Sequence, residues 1–210
     1  MAKIALIGAT GGIGRHVCSR ALADGHTVVA LARTPSKLDP HPELTVVQGC
    51  VTDAQAVSRT VADCDIVLSC LGTSSGDAPV VTTGTQHIVT AMRTSNVDRV
   101  AMISSVGVGN SHAQGKRVSR IFMHVIVPLV LRQRYYELEG AEAVARTIPN
   151  AVIVRPTGLT NKRGSGRYRV EPHDSTNTSL QIPREDVAAF MVALISNTSW
   201  DGQSVSLFSA

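Results

Sequence analysis

The sequence predicts an α/β protein with one doubly wound parallel sheet in a single domain. Short apolar runs alternate with helix-like segments along the first half of the chain, which is typical of right-handed βαβ units. Aromatic residues make up only 3% of the chain, so Val, Ile, Leu and Ala must fill the core, as they do in parallel sheets buried on both faces. A length of 210 residues fits one such domain.

Seven strands are predicted from short apolar runs that are bounded by turn residues. In chain order they cover Ile4–Ile7, Thr27–Ala32, Leu44–Gln48, Asp65–Cys70, Arg99–Ile103, Ala151–Arg155 and Ser204–Leu207. Helices are predicted where apolar positions recur on one helical face. They cover Gly12–Ala23, Ala54–Val61, Val80–Thr94, Gln133–Arg146 and Arg184–Ile195. The polar segment Asn161–Thr178 predicts a loop with an edge strand near Tyr168–Val170.

A glycine-rich turn follows the first strand. Gly8, Gly11 and Gly14 lie between an apolar run and a helix-like segment, the context expected of a dinucleotide-binding turn. Such glycines let the backbone approach a pyrophosphate, and the N-terminus of the following helix offers free N–H groups and a partial positive charge. The alternative is an ordinary strand–turn–helix corner. The candidate cofactor contacts in the turn are Gly8, Thr10, Gly11, Gly12 and Ile13.

The end of the second strand indicates which dinucleotide is bound. NAD-specific sites usually carry an acidic residue about 20 positions past the glycines, where it binds the ribose 2′-OH. This chain has Arg33, 19 positions after Gly14, followed by Thr34, Ser36 and Lys37. A guanidinium can bind a 2′-phosphate through two hydrogen bonds, whereas a carboxylate would repel it. The residues favour NADP(H); a solvated basic turn would leave the preference open.

Further contacts are expected at the other strand ends, because open α/β sheets bind ligands there. Gly72 would let the backbone approach the ribose or nicotinamide, and Val51 would offer an apolar contact to the adenine. Ser105 would face the nicotinamide and position or polarise a substrate, unless it forms a local turn or cap. The candidate cofactor contacts at these strand ends are Cys50, Val51, Leu71, Gly72, Thr73, Ser104, Pro156 and Thr157.

Charge is distributed unevenly along the chain. The net charge is +4, yet the stretch from Ala113 to Arg169 alone has an excess of eight positive charges. We expect residues 1–110 to contact mainly the cofactor and residues 111–210 to form the substrate region. Arg132 and Arg134, beside the apolar run Ile121–Leu131, are candidate contacts for an anionic, conjugated small molecule. A solvated basic face is the alternative.

Several other classes of function are not supported. The four cysteines form no C-x-x-C pair and the histidines are scattered, so no metal site is predicted. The run Ile121–Leu131 is too short to span a membrane. The basic region lacks interleaved aromatic residues, which argues against nucleic-acid binding. A first strand starting at Lys3 leaves no targeting segment, so we expect a cytoplasmic protein, either monomer or homodimer.

Several motifs together resemble a known family. They are the glycine turn, Arg33, Leu71-Gly72-Thr73, Ser104-Ser105, Val154-Arg155-Pro156 and Pro183-Arg184-Glu185-Asp186-Val187-Ala188. The chain resembles the atypical short-chain dehydrogenase/reductase proteins with a single Rossmann-type NAD(P)-binding domain. Within them it is most similar to the biliverdin reductase B/flavin reductase type, with NmrA-like regulators as near relatives. The resemblance implies NADPH binding and hydride transfer to flavins or other planar conjugated acceptors.

The chain departs from this family at the groups that move protons. Classical members use a Tyr-x-x-x-Lys pair in which the lysine lowers the pKa of the tyrosine. Here the residues four positions after Tyr135 and Tyr136 are glutamate and glycine. The flavin-reductase type has a histidine near the end of the sixth strand, where this chain has Thr157. Ser105 and Tyr136 are the candidate catalytic residues, with the tyrosine or solvent supplying protons.

Three functions follow from these residues. The first is an NADPH-dependent oxidoreductase acting on a flavin, a quinone or a similar conjugated acceptor, which needs little acid–base assistance. The second is a non-catalytic NADP(H) sensor of the NmrA-like kind. The third is a sugar-nucleotide epimerase or dehydratase, which the missing Tyr–Lys pair disfavours. Glu142 fits either an active-site carboxylate or a surface charge, and we favour the surface.

Overall fold

The structure is a computed structural model. It describes residues 1–72, 80–106, 108, 127–172 and 181–210, with the backbone alone described at 127–134. The strands are β1 (Lys3–Ile7), β2 (Thr27–Ala32), β3 (Leu44–Gln48), β4 (Ile66–Ser69), β5 (Arg99–Ile103), β6 (Asn150–Pro156), β7 (Gly158–Thr160), β8 (Tyr168–Pro172), β9 (Gln181–Pro183) and β10 (Ser204–Ser209). The helices are α1 (Gly14–Ala23), α2 (Ala54–Val61), α3 (Val80–Thr94), α4 (Val127–Ala145) and α5 (Arg184–Ala193).

Eight strands form one sheet in the order β3-β2-β1-β4-β5-β6-β10-β8. Every neighbouring pair is parallel except β10 with β8, which is antiparallel. The sheet reverses its winding between β1 and β4, because β2 and β3 lie on one side of β1 while β4, β5 and β6 lie on the other. The predicted doubly wound, Rossmann-type α/β fold is confirmed.

Helices cover both faces of the sheet. Side chains alternate along each central strand, so that Ile4 and Leu6 face α1 and α5, whereas Ala5 and Ile7 face α2 and α3. Residues on both faces are buried, which explains why these strands read as continuous apolar runs. Ligands of such open sheets bind at the carboxyl ends of the strands, where the loops converge.

The second half contains structure that the sequence patterns did not predict. β7 and β9 pair in parallel as a separate two-stranded sheet, with Gly158 opposite Gln181 and Thr160 opposite Pro183. Each strand has only three residues, too few to show a period. α4 begins at Val127, six residues before the predicted start, and its Pro128 is tolerated because it lies in the first turn.

Candidate functional site

The candidate site lies at the carboxyl ends of β1 and β4, where the sheet reverses its winding. The chain leaves β1 through Gly8, whose φ is +81°. A Cβ at Gly8 would lie 2.6 Å from the carbonyl oxygen of Cys70, and one at Gly14 would lie 2.1 Å from the carbonyl oxygen of Gly8. Neither position accepts a side chain without moving backbone. These two glycines therefore set the tight turn and the close packing of α1 against it.

The turn presents backbone donors to the crevice. The N–H of Gly11 donates to the carbonyl of Gly8 at 3.0 Å and closes the turn. The next two N–H groups, of Gly12 and Ile13, donate to no residue in the described part of the chain. α1 has no side-chain cap at Ile13, so the positive end of its dipole is also uncompensated. This arrangement fits an anionic pyrophosphate.

Arg15 and Thr10 brace the turn from the side. The Nε of Arg15 donates to the carbonyl oxygen of Thr10 at 3.1 Å. The carbonyl of Thr10 is thereby held towards α1, and Gly11 and Gly12 are left exposed to solvent. The exposed backbone of the turn is the surface on which an anion can lie.

The end of β2 carries the predicted 2′-phosphate contacts. Arg33, Thr34, Ser36 and Lys37 are all exposed, and residues 35–37 form a short 3₁₀ turn that follows β2 directly. Among the described residues, neither of the two cations forms an ion pair. Hydrogen bonding to Thr52 first, and then the charge of Arg33, lower the pKa of the Cys50 thiol, so Cys50 lies within the field of that guanidinium. The end of β2 thus presents two exposed cations that form no ion pair among the described residues.

Val51, proposed as an adenine contact, is turned away from the crevice. Its side chain is buried and packs where a Cβ on Gly84 of α3 would lie, 2.5 Å from Cγ2. Its carbonyl oxygen is 3.0 Å from Nδ1 of His87. Val51 thus fixes α3 against the end of β3, and its side chain does not line the crevice.

The end of β4 is open. Leu71 is half-buried and packs on the core, whereas Gly72 is exposed and has no described atom within 4 Å of an added Cβ. Thr73, the last predicted contact here, lies outside the described residues. Among the described residues, none occupies the position of a side chain at Gly72, close to the glycine turn.

A buried charged cluster lies beneath the end of β5. Ser104 donates its hydroxyl to Oε1 of Glu142 at 2.6 Å, and Arg155 donates to both carboxylate oxygens of Glu142. Burial acts to raise the pKa of Glu142, but hydrogen bonds from Arg155 and Ser104, together with the charges of Arg155 and Arg146, hold it below its ordinary value. The surface assignment of Glu142 was wrong, because α4 turns this side chain towards β6.

The two serines that follow β5 have different surroundings. Ser104 is buried with its hydroxyl on Glu142, so it does not present that group to the crevice. Ser105 is half-buried and donates to the carbonyl oxygen of Val106 at 3.2 Å. Ser105 is the less buried of the two serines, and its role as a substrate contact stays a prediction.

Tyr135 reaches the end of β5. The hydroxyl of Tyr135 donates to the carbonyl oxygen of Val106 at 3.3 Å, whereas Tyr136 is 60% exposed. Burial raises the pKa of the Tyr135 phenol, and a hydrogen bond with Ser105 opposes the increase without cancelling it. The phenol is therefore protonated at neutral pH. Tyr135 and Glu142 are seven positions apart, which places both on one face of α4. This spacing is the sequence feature from which their shared location could have been predicted.

At the end of β6, Pro156 and Thr157 lie beside β10. The carbonyl of Pro156 accepts from the N–H of Val106 at 3.2 Å, and the N–H of Thr157 donates to the carbonyl of Leu207 at 3.0 Å. The Oγ1 of Thr157 is buried and has no hydrogen-bond partner among the described residues. A buried hydroxyl without a partner is costly, so Thr157 is a weak point of the packing at the end of β6.

Arg132 and Arg134, predicted to contact the substrate, fall within α4, in the stretch of which only the backbone is described. The described residues contain no group of three or more His, Cys, Asp or Glu side chains that could hold a metal ion. No helix in the described ranges has the length and apolar character needed to cross a membrane.

Comparison with known proteins gives the family. A family model described as NAD(P)H-binding matches residues 8–198. The chain belongs to this NAD(P)H-binding family. The domain is thus an NAD(P)H-binding domain, as the resemblance implied. The match begins at Gly8, the residue whose positive φ opens the turn.

Similar proteins include one plant sequence and two solved structures. A chloroplastic protein of Arabidopsis thaliana is 26% identical over 188 residues, covering 82% of this chain and 65% of that protein. A wide-type short-chain dehydrogenase/reductase of Veillonella parvula in complex with NADP has a TM-score of 0.83 at 19% identity, covering 99% and 94% of the two chains. ChuY, an anaerobillin reductase of Escherichia coli, has a TM-score of 0.81 at 21% identity, covering 99% and 97%. The chain thus spans just under two thirds of the plant relative, and the solved structures show that the fold is shared.

Proposed function

We propose that the chain is an NADPH-dependent oxidoreductase that reduces a flavin, a quinone or a similar planar conjugated acceptor. NADP(H), when bound, supplies the hydride. The pyrophosphate would lie on the N–H groups of Gly12 and Ile13, and the 2′-phosphate between Arg33 and Lys37. The absence of ion pairs on these two cations among the described residues supports NADP(H) over NAD(H).

The observation that carries the choice of acceptor is the state of Tyr135. Its phenol lies at the end of β5 beside Ser105, its pKa is raised, and the sequence places no lysine four positions later. A ketone or alcohol substrate is served best by an acid or base whose pKa lies near neutral pH, and the raised pKa of this phenol moves it away from that range. A conjugated acceptor needs mainly close, oriented contact with the nicotinamide. Ser105 and Tyr135 would supply orientation through their hydroxyl groups.

The apolar and basic segment around Arg132 and Arg134 would form the other wall of the acceptor site and hold its anionic groups. An anaerobillin reductase of Escherichia coli has the same fold, which is compatible with this class of acceptor.

All four cysteines are free thiols. This supports a protein that functions in a reducing compartment such as the cytoplasm.

A second candidate function is a non-catalytic NADP(H) sensor. Tyr135, protonated and hydrogen-bonded to a backbone carbonyl, is also compatible with a site that binds the dinucleotide and transfers nothing. In that case the reduced and oxidised cofactors would bind with different affinities, and the basic segment would contact an acidic protein surface.

Steady-state oxidation of NADPH, measured with a panel of flavins, quinones and tetrapyrroles, separates the two functions. We expect turnover with at least one acceptor, a rate independent of pH between about pH 6 and pH 9, and a Tyr135→Phe variant with a raised KM and a nearly unchanged kcat. Tyr136→Phe is the matched control and should behave as wild type. Tight binding of NADPH without turnover of any acceptor would support the sensor. A thousandfold loss of kcat in the Tyr135→Phe variant would instead indicate acid catalysis by Tyr135.

A further inference from the structure

A cationic side chain from the far end of the sequence lies against the glycine turn. A methyl group placed on Gly12 would be 2.8 Å from Nε and 3.0 Å from Cδ of Arg184. Arg184 is the first residue of α5, and α5 packs along α1 through Val187, Ala188 and Met191. The packing of these two helices thus brings a guanidinium to the place where α1 begins.

Asn161 holds this guanidinium in place. Its Oδ1 accepts a hydrogen bond from Nη1 of Arg184 at 2.7 Å. Asn161 directly follows β7 and Arg184 directly follows β9, and these two strands pair with Thr160 opposite Pro183. The carboxyl ends of parallel strands meet at one edge, so the small sheet fixes both residues beside the turn.

The two acidic residues that follow Arg184 form no ion pair with it in the described part of the chain. Glu185 accepts from the N–H of Gly164 at 2.7 Å, and Asp186 accepts from the N–H groups of Ser165 and Gly166. Within the described part of the chain, Arg184 forms no ion pair, and Nε and Nη2 donate no hydrogen bond. A half-buried guanidinium with free donors next to free backbone N–H groups is suited to an oxyanion.

We propose that Arg184 binds the pyrophosphate of the dinucleotide from the side opposite α1, with Asn161 as its positioning residue. This inference rests on the proposed binding of NADP(H). It assigns part of the cofactor site to the C-terminal half of the chain, through the small β7–β9 sheet. Arg33 then determines the response to the 2′-phosphate, and Arg184 the affinity for every ligand that contains the pyrophosphate.

Titration calorimetry with NADPH and with ADP-ribose tests the proposal, because ADP-ribose has the pyrophosphate but lacks the 2′-phosphate and the nicotinamide. Arg184→Gln should weaken both ligands by a similar factor, roughly tenfold or more. Arg33→Gln should weaken NADPH alone. Arg59→Gln, at an exposed arginine in the last turn of α2, is the matched control and should change neither. Asn161→Ala keeps the charge at position 184 and should weaken both ligands by less than Arg184→Gln does.

Binding of both ligands by Arg184→Gln within twofold of wild type would overturn the role of Arg184, and so would weakening of NADPH alone. Thermal unfolding without ligand checks that the variants are folded; if Arg184→Gln is not, Asn161→Ala carries the test and must weaken ADP-ribose. A wild-type chain that binds neither NADPH nor ADP-ribose would instead overturn the proposed function, so the two failures are distinguishable.

Discussion

Glu142 of α4 and Arg155 of β6 form a two-point ion pair inside the protein. Oε1 accepts from Nε at 2.9 Å and Oε2 accepts from Nη2 at 2.5 Å, with the two side chains 5% and 2% exposed. Ser104 adds a third hydrogen bond to the same carboxylate. The pair joins α4 to the sheet directly below Ser105 and Tyr135, so it fixes the helix that carries the tyrosine relative to the strand end.

Glu142→Gln should destabilise the protein by about 3–5 kcal/mol, because it removes the buried negative charge that faces Arg155. The free energy of unfolding in urea measures this directly. Arg146→Gln is the control: Arg146 also contacts Glu142, but its side chain is 48% exposed, so the loss should stay below about 1 kcal/mol. Equal losses in the two variants would contradict a structural role for the buried pair.

The contribution of Glu142 to stability should depend on pH in the acidic range. Its pKa in the folded protein lies below the ordinary value of 4.5, so its contribution is fully present above that value and is lost as the pH falls through the folded pKa. The difference in unfolding free energy between wild type and Glu142→Gln should be constant near neutral pH and should shrink on acidification below about pH 4.5. Shrinkage that begins near neutral pH would mean that the pKa is raised instead.

Two glycines at the crevice should respond differently to alanine. Gly14→Ala should be strongly destabilising, because its Cβ would overlap the carbonyl oxygen of Gly8 at 2.1 Å. Gly72→Ala should unfold at the wild-type temperature, because no described atom lies within 4 Å of its Cβ. If Gly72 contacts the ribose or nicotinamide, the alanine should nevertheless weaken NADPH binding severalfold. Wild-type affinity for NADPH in a folded Gly72→Ala variant would show that Gly72 does not contact the cofactor.

Substitution of Arg33 should change cofactor preference. Arg33→Gln should weaken NADPH by roughly tenfold to a hundredfold, since it removes charge-assisted hydrogen bonds to the 2′-phosphate, and should leave NADH nearly unchanged. Arg33→Asp should lower the ratio of NADPH to NADH affinity further, because it adds repulsion. Fluorescence titration of both cofactors measures the ratio. Equal effects on NADPH and NADH would show that Arg33 does not contact the 2′-phosphate.

The sheet was predictable because the central strands are buried on both faces and therefore appear as continuous apolar runs. β2, β3 and β5 have the predicted bounds, and the glycine turn lies between β1 and α1 as its spacing requires. The small β7–β9 sheet was not predictable, because a strand of three residues is too short to show an alternating pattern and its partner lies far away in the sequence.

The sequence pattern could not assign roles that depend on tertiary contacts. Val51 is an apolar residue at a strand end, as expected of an adenine contact. Its side chain instead packs into the space that Gly84, which has no side chain, leaves on α3. Glu142 appears as one charge among many until Arg155 is placed opposite it. Arg184 lies 172 positions after Gly12, and only the packing of α5 on α1 brings them together.

Single-turnover oxidation of NADPH by the wild-type protein tests the central claim most directly. The bound cofactor is mixed with an excess of each conjugated acceptor, and loss of the reduced nicotinamide is followed with ordinary NADPH and with NADPH deuterated at the transferred position. We predict complete oxidation by at least one acceptor, slowed severalfold by deuterium. NADPH that binds tightly but stays reduced with every acceptor, or an oxidation rate insensitive to deuterium, would contradict the proposed hydride transfer.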